Sequence, residues 1–169
     1  AQIARTVAMG MMGTQLPLRV SYRTSVFRYE PEHAGRDREI FQVGAEYIGA
    51  DDAGADSEML ILMIECLKQV GLRSFKISLG HVGFFKGLLV RAGLSPAGQK
   101  RAEQAAARKD LPRLQEILSG ERVASRYATS ILEAPELCGQ AEVLARGRTL
   151  AKGDRSALQA LARLTMVYE

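Results

Sequence analysis

The spacing of hydrophobic and polar residues changes several times along the chain, and each spacing predicts a helix or a strand. Apolar residues at helical spacing predict two helices in the first half, over residues 2–12 and from a cap at Asp56 or Ser57 to about Val70. Alternating apolar and polar residues predict four extended segments, at Leu18–Tyr22, Ser25–Tyr29, Arg38–Ile48 and Ser74–Leu79. These elements together predict a sheet with flanking helices.

The second half of the chain is helical throughout. After a helix from about Val82 to Val90, Ser95-Pro96 and Asp110-Leu111-Pro112 each place a capping side chain before a proline in the first turn. Further helices are predicted at about 121–132, 140–147 and 155–167. A boundary near residue 94 therefore separates a sheet-containing part from an all-helical part, and the predicted fold class is α+β.

The composition is that of an ordinary globular protein, with 47% hydrophobic and 25% charged residues among 169. No apolar run reaches the roughly 18 to 20 residues that a transmembrane helix needs. The net charge of +4 is mild, and the basic residues after Ser95 are interleaved with acidic ones, which is typical of a solvated helical surface. Neither a membrane nor an RNA partner is therefore expected.

The two cysteines, Cys66 and Cys138, lack the spacing of a zinc site or a redox pair, so no metal site is predicted. Cys66 stands in the apolar segment Ile61–Leu67, which predicts a buried, reduced thiol. A cytoplasmic location is the expectation that follows.

One extended segment carries polar side chains that a purely structural strand seldom needs. Within Arg38–Ile48, Gln42 and Glu46 point to the same side because successive strand residues face opposite ways. Gly44 lies between them and leaves space against the backbone. The pattern predicts a shallow polar floor.

Charged residues precede this floor. Arg28 and Glu30 end the preceding extended stretch, and Arg36 lies in the connecting loop. A guanidinium donates paired hydrogen bonds to phosphate or carboxylate, while a carboxylate such as Glu46 accepts from an ammonium or imidazole N–H. An anionic, nitrogen-bearing ligand fits these residues. A surface hairpin with ion pairs among Arg28, Glu30, Arg36 and Glu39 fits them as well, and the residue types leave both open.

The hairpin resembles motif 2 of class II aminoacyl-tRNA synthetases in its histidyl version. That version reads Phe-Arg-x-Glu, a Pro-containing loop, Gly-Arg-x-Arg and then Gln-x-x-x-Glu. Nine positions match it in order and spacing: Phe27, Arg28, Glu30, Pro31, Gly35, Arg36, Arg38, Gln42 and Glu46. The resemblance implies a class II synthetase-like antiparallel sheet with flanking helices, the motif 2 hairpin lying at about 18–48, plus an all-helical insert.

Site roles follow from the resemblance by position. Gln42, Glu46 and Arg36 match residues of the histidine-binding site, with Glu46 at the amino group. Arg28 matches the arginine that contacts the ATP α-phosphate, and Glu30 matches the glutamate that meets the adenine amino group. These are the implied nucleotide-binding residues.

Two families share this hairpin, the histidine–tRNA ligases and the synthetase-like regulatory subunits of ATP phosphoribosyltransferase, the first enzyme of histidine biosynthesis. Ile77–Leu88 resembles the Leu-Gly-His-Val-Gly-Phe-Phe segment of the regulatory subunits, and Ala107–Leu111 is similar to their compact insert. The loop Pro31–Ala34 departs from the Arg-Pro-Gln that ligases commonly show. The regulatory family is favoured and the ligase is the alternative. A general adenylate-forming paralogue for another amine or acid is disfavoured by Gln42 with Glu46.

The favoured family implies a non-catalytic protein that activates the short catalytic subunit and mediates histidine feedback. It implies a homodimer that binds histidine, without tRNA or a cofactor, whereas the ligase alternative implies ATP and magnesium. The implied organisation is a core over 1–94, an insert over 95–150 and a helix over 151–169 that leads back to the core. Motif 1 and motif 3 are not in the sequence, which begins within a helical pattern, so an internal fragment without catalysis of its own is expected.

Three side chains outside the hairpin have structural interpretations. His81 stands at the start of a predicted helix, where a histidine is most often a cap or a buried hydrogen-bonded residue. Phe84 and Phe85 are predicted to anchor the core. His33 is predicted to be exposed in the hairpin loop.

Overall fold

The computed structural model describes residues 2–11, 13–29 and 38–169, which form two compact units. The hairpin unit comprises Ala1–Ser74 and the helical unit comprises Phe75–Glu169. The boundary predicted near residue 94 marks a change in composition, whereas the compact units separate twenty residues earlier, because the helix over Val82–Arg91 packs with the helices that follow it.

The hairpin unit contains two helices and two strands within its described part. Their bounds in chain order are α1 Gln2–Gly10, β1 Leu18–Phe27, β2 Glu39–Ile48 and α2 Ala53–Gln69. The strands pair antiparallel in an unbroken register from Leu18 opposite Ile48 to Phe27 opposite Glu39. The sheet of the described residues therefore has two strands.

Arg19 connects both strands to α2. Its guanidinium forms a bidentate ion pair with the carboxylate of Glu58 on α2. The hydrogen bond from Nη2 to Oε2 measures 2.7 Å. Nη2 also donates to the Tyr47 hydroxyl at 2.9 Å, and the guanidinium carbon lies 4.3 Å from the centre of the Tyr47 ring. The hydrogen bond from Arg19 holds the pKa of Glu58 below its usual range. Helix α2 is therefore fixed to one face of the hairpin.

The helical unit is built from six α-helices and a short 3₁₀ helix, Ala134–Glu136. The α-helices are α3 Val82–Arg91, α4 Pro96–Ala107, α5 Leu111–Gly120, α6 Ser125–Glu133, α7 Ala141–Leu150 and α8 Arg155–Tyr168. Their apolar stripes meet in one core, in which Leu89, Leu114 and Ile131 are the largest fully buried side chains. Phe84 and Phe85 pack against this core, which confirms their predicted role.

Helices α3 and α8 approach each other unusually closely at a glycine. A β-carbon added at Gly87 would lie 2.8 Å from the backbone nitrogen of Ala157 and 3.0 Å from its β-carbon. The buried Asp154 caps α8 at the same level by accepting from the Ala157 N–H at 3.0 Å. Only a residue without a side chain fits between the two backbones, since closer approach than ordinary van der Waals contact is strongly repulsive.

Ser95, Gly98 and Glu121 link the start of α4 to the end of α5. The Ser95 hydroxyl accepts from the Gly98 N–H and donates to the Glu121 carboxylate at 2.9 Å, and the Ser95 N–H donates to the same carboxylate at 3.1 Å. Arg101 adds a hydrogen bond of 2.9 Å. The cap predicted at Ser95 is confirmed, and these hydrogen bonds, led by the Ser95 N–H, lower the pKa of Glu121.

Several sequence-based boundaries were wrong. The two extended segments predicted before residue 29 form one strand, because the polar Arg23 and Thr24 continue the ladder opposite Val43 and Gln42. Helix α2 begins before the predicted cap, since the Asp52 side chain accepts from the Ala55 N–H at 2.8 Å. Ser74–Leu79 pairs with no strand among the described residues.

The predicted burial of Cys66 was also wrong. Its side chain is exposed in the structure, as are those of Ile61, Leu62 and Met63 on the same helix. Apolar neighbours in the sequence indicate burial only where another element covers that face of the helix. Within the described hairpin unit, Glu58 of α2 contacts the sheet through Arg19.

Replacing Gly87 with alanine should destabilise the protein by about 1 to 3 kcal/mol, because the new methyl group must push α3 and α8 apart. Urea unfolding measures the change. Gly120→Ala is the matched control, since a β-carbon there meets nothing within 4 Å, and a change of less than about 1 kcal/mol is expected. Equal effects of the two substitutions would contradict the close approach.

Replacing Glu121 with glutamine should cost stability at neutral pH, and the cost should shrink as the pH falls. The folded state lowers the pKa of this carboxyl, so its stabilisation is present above the unfolded pKa of about 4.3 and is lost as the pH drops through the folded value. Urea midpoints of both proteins between about pH 7 and about pH 3 test this. A difference in urea midpoint between the two proteins that stays constant over that pH interval would show that the carboxylate is not stabilised by Ser95.

Candidate functional site

The two faces of the β1–β2 hairpin have different chemistry. Residues directly opposite in an antiparallel pair share a face. One face, here the Gln42 face, carries Leu18, Val20, Tyr22, Thr24 and Val26 opposite Ile48, Glu46, Gly44, Gln42 and Ile40. The other, the Arg19 face, is the one on which Glu58 of α2 meets the sheet. Gln42 and Glu46 therefore lie on the same face, opposite to the one that contacts α2.

Gln42 and Glu46 differ in their surroundings. Gln42 is half-buried, and its amide Nε2 donates to the Tyr22 hydroxyl at 2.8 Å. Glu46 is exposed and lies opposite Val20, and no residue that the structure describes donates a hydrogen bond to its carboxylate. At about 3.3 Å per residue, the two Cα atoms are separated by roughly 13 Å along the strand, with Gly44 midway. The face thus combines an oriented amide with an accessible carboxylate.

Tyr22 occupies the space that Gly44 leaves. The two residues are directly opposite, and a β-carbon at Gly44 would lie 2.3 Å from Cζ of the Tyr22 ring. The ring lies across the glycine and its hydroxyl reaches Gln42. Sequence reasoning identified the gap at Gly44 but missed the ring that fills it. Predicting the ring would have required the strand register, which is what places Tyr22 directly opposite Gly44. A glycine opposite an aromatic residue is a recurring cross-strand arrangement.

Arg28 continues the hairpin beyond the last paired residues of β1. Its N–H donates to the Arg38 carbonyl at 2.9 Å, so the strands stay paired one step past Phe27 and Glu39. By alternation, Arg28 takes the register position that follows Val26 on the Gln42 face. The distance along β1 from the level of Gln42 to Arg28 is roughly 13 Å at 3.3 Å per residue. Arg28 is exposed.

Two of the predicted site residues, Glu30 and Arg36, lie outside the described residues, as does His33. The alternative of a hairpin stabilised by surface ion pairs involves the same loop. Of its members, Arg28 and Glu39 are described, and they form no ion pair with each other. The roles assigned to Gln42, Glu46, Arg36, Arg28 and Glu30 remain predictions.

An open depression of about 510 Å³ lies at the loop end of the hairpin and is lined by Ser25, Arg38, Glu39 and Phe41. Ser25, Glu39 and Phe41 belong to the Arg19 face, where Arg23 also lies 5.0 Å from the centre of the Phe41 ring. This depression therefore lies on the opposite face of the hairpin from Gln42 and Glu46.

His81 acts as a helix cap. Its Nδ1 accepts from the Gly83 N–H at 3.1 Å at the start of α3, as predicted. Within residues 2–11, 13–29 and 38–169, His, Cys, Asp and Glu side chains form no group of three or more that is suited to a metal ion. The same part of the chain contains no helix with the length and apolar character needed to cross a membrane.

The whole chain matches a known family. The family model for histidyl-tRNA synthetase covers residues 1–169. The chain therefore belongs to the histidyl-tRNA synthetase family, whose motif 2 the hairpin resembles. Among its curated relatives, the ATP phosphoribosyltransferase regulatory subunits of Geobacter metallireducens and Syntrophotalea carbinolica are 39% and 41% identical over 99% of this chain. These relatives confirm the resemblance to such regulatory subunits.

The fold agrees with a solved structure. A crystal structure described as an ATP phosphoribosyltransferase regulatory subunit/histidyl-tRNA synthetase, from Bacillus halodurans, matches 99% of this chain with a TM-score of 0.87 and 29% identity. This likeness confirms the predicted α+β, class II synthetase-like fold. The chain spans 38% and 40% of the two curated relatives and 43% of the solved chain.

Replacing Tyr22 with phenylalanine should release the Gln42 amide while keeping the ring over Gly44. We expect a loss of about 0.5 to 1.5 kcal/mol, which is typical of one hydrogen bond, and a shift of the Gln42 side-chain amide resonances. Urea unfolding and ¹⁵N NMR measure the two effects. Tyr29→Phe is the control, because Tyr29 is almost fully exposed. Unmoved Gln42 resonances in Tyr22→Phe would disprove the contact.

Proposed function

We propose that the protein to which this chain belongs is a non-catalytic regulatory subunit of ATP phosphoribosyltransferase that activates the short catalytic subunit and mediates feedback by histidine. The observation that carries this proposal is that Gln42 and the exposed Glu46 lie together on one face of the hairpin, in a chain whose curated relatives have that name. In this proposal the protein is a cytoplasmic homodimer, works without a cofactor and does not bind tRNA.

Histidine binding uses the acceptors of the Gln42 face. The exposed carboxylate of Glu46 accepts from the α-ammonium group of histidine, a charge-assisted contact that is stronger than a neutral one. Gln42 contacts the same ligand, and Tyr22 holds the Gln42 amide in place. By family resemblance, Arg36 meets the ligand carboxylate.

By family resemblance, Arg28 and Glu30 bind the nucleotide. Arg28 lies beyond Gln42 along the hairpin, so a guanidinium faces the end remote from Glu46. A planar guanidinium is suited to a phosphate or a carboxylate. Arg28 lies roughly 26 Å along the hairpin from the level of Glu46 at 3.3 Å per residue, so it meets a nucleotide beside the histidine and not the histidine that Glu46 holds.

Regulation follows from unequal affinity. A ligand shifts an assembly only as far as it prefers one of its states, and couplings of this kind typically change affinity by about 5- to 150-fold. Histidine that binds more tightly to the inactive arrangement of the two subunits lowers the activity of the catalytic partner. The catalytic partner in turn changes the affinity for histidine by the same factor.

A histidine–tRNA ligase is the second candidate, supported by the name of the matching family and by the double description of the solved structure. The two functions are distinguished by pyrophosphate exchange. If the regulatory proposal holds, the full-length protein does not exchange pyrophosphate into ATP in the presence of histidine, and it raises the turnover of a short ATP phosphoribosyltransferase. Histidine-dependent exchange without such activation would establish the ligase instead.

Replacing Glu46 with alanine in the full-length protein should raise the histidine concentration for half-maximal inhibition by about ten- to a hundredfold, since a charge-assisted hydrogen bond contributes about 1.5 to 3 kcal/mol. Inhibition of the assembled phosphoribosyltransferase is the measurement. Glu39→Ala is the matched control, because Glu39 is an exposed glutamate of the same strand on the opposite face. Unchanged sensitivity of Glu46→Ala would remove Glu46 from the histidine site.

A further inference from the structure

A cleft of about 170 Å³ lies within the helical unit, remote in sequence from the hairpin. It is bounded by the end of α3, one side of α6 and the end of α7, and its lining residues are Leu88, Arg91, Arg126, Tyr127, Ser130, Thr149, Leu150 and Lys152. Three of the eight are cationic and none is acidic. Because the basic residues of this unit are otherwise interleaved with acidic ones, such a concentration of one charge is a local exception.

Two of the cations meet at one aromatic ring. The guanidinium carbons of Arg91 and Arg126 lie 5.2 Å and 4.7 Å from the centre of the Tyr127 ring. Cation–π attraction offsets part of the repulsion between the two guanidinium groups. The contact with the ring restrains two side chains that line the cleft, so less side-chain entropy is lost when an anion binds.

Arg91 is further fixed by the backbone after α7. Its Nη1 donates to the Lys152 carbonyl, and the chain turns there through Gly153 with a φ of +81°. A β-carbon at Gly153 would lie 3.0 Å from Nη2 of Arg91, so the turn passes directly against the guanidinium. One edge of the Arg91 guanidinium is thus occupied by the backbone after α7. Arg126 and Lys152 supply the other two positive charges of the cleft.

No carboxylate among the described residues neutralises these groups. Ion pairs within the helical unit include those of Arg101 with Glu121, Arg113 with Glu116, and Arg146 with Glu133. Arg91, Arg126 and Lys152 take part in none of the ion pairs found in the described chain. Three like charges around one small cleft repel one another, and a bound anion removes that repulsion.

The neutral lining also suits an oxyanion. Ser130 is half-buried in the cleft, and its hydroxyl makes no hydrogen bond to a described residue, so its proton is available for an acceptor. The Thr149 hydroxyl already donates to the Ala145 carbonyl at 3.2 Å. The cleft therefore offers guanidinium, ammonium and hydroxyl donors together, which is the donor set that phosphate oxygens accept from.

We infer that the cleft between α3, α6 and the end of α7 binds the phosphate or pyrophosphate group of a small phosphorylated molecule, held by Arg126, Lys152 and the outer edge of Arg91. Its small volume favours a single phosphorylated group over a nucleic acid strand, which needs an extended groove with free aromatic surfaces for its bases. Tyr127 is the aromatic residue of the lining, and its ring is engaged with two guanidinium groups. The inference does not depend on the proposed regulation by histidine.

Calorimetric titration of the full-length protein with inorganic phosphate, inorganic pyrophosphate and ribose 5-phosphate tests the site. The variants are Arg126→Gln and Lys152→Gln, because neither side chain makes a hydrogen bond or an ion pair to the described part of the fold. Lys100→Gln on α4 and Arg108→Gln at its C-cap are matched controls outside the cleft. Every protein in this series also carries Arg28→Gln, so that the hairpin guanidinium adds no phosphate signal, and circular dichroism verifies that every variant is folded.

In the Arg28→Gln background, one pyrophosphate or ribose 5-phosphate should bind per chain, and each cleft variant should weaken binding about tenfold, while the two control variants change it less than twofold. Binding should also weaken with added salt. Tighter binding of ribose 5-phosphate than of inorganic phosphate identifies an organic phosphate as the ligand, and the reverse order identifies the free ion. No binding at millimolar concentrations, or equal losses in cleft and control variants, would overturn the inference.

Discussion

The antiparallel register of β1 and β2 is the constraint on which the candidate site depends. It sets Tyr22 opposite Gly44 and Thr24 opposite Gln42, and it brings Glu46 onto the same face as both. A shift of one residue in a strand pairing sends every side chain of that strand to the other face. The glycine resists such a shift, because the Tyr22 ring fits across residue 44 only where there is no side chain. The opposite face has its own restraint in the contacts of Arg19 with Tyr47 and Glu58.

The features that sequence predicted well are those with local causes. The caps at Ser95, Asp110 and His81 follow from side chains that accept from a backbone N–H two or three residues further on, and all three form. The strand over Glu39–Ile48 follows from strict alternation. The family was identified from nine spaced positions in the hairpin, and the match over residues 1–169 agrees with it.

The features that sequence missed depend on partners distant along the chain. The Tyr22 ring over Gly44 requires knowledge of the register, and the exposure of Cys66 depends on which face of α2 another element covers. Ser74–Leu79 alternates as a strand does, but alternation predicts a strand only when an edge is available to pair with it. The cleft around Tyr127 combines residues from α3, α6 and the turn after α7, a combination that no local pattern indicates.

The hydrogen bond from Gln42 to Tyr22 has a consequence for selectivity. With one amide hydrogen engaged by the phenol, the side chain is held in a single orientation, and its carbonyl oxygen is turned away from Tyr22. This carbonyl and the carboxylate of Glu46 are thus hydrogen-bond acceptors on a face that otherwise carries Tyr22, Thr24 and apolar side chains. Ligands with several N–H groups can donate hydrogen bonds to both acceptors. An isosteric thioether or hydrocarbon would leave the lone pairs of these acceptors desolvated and unsatisfied.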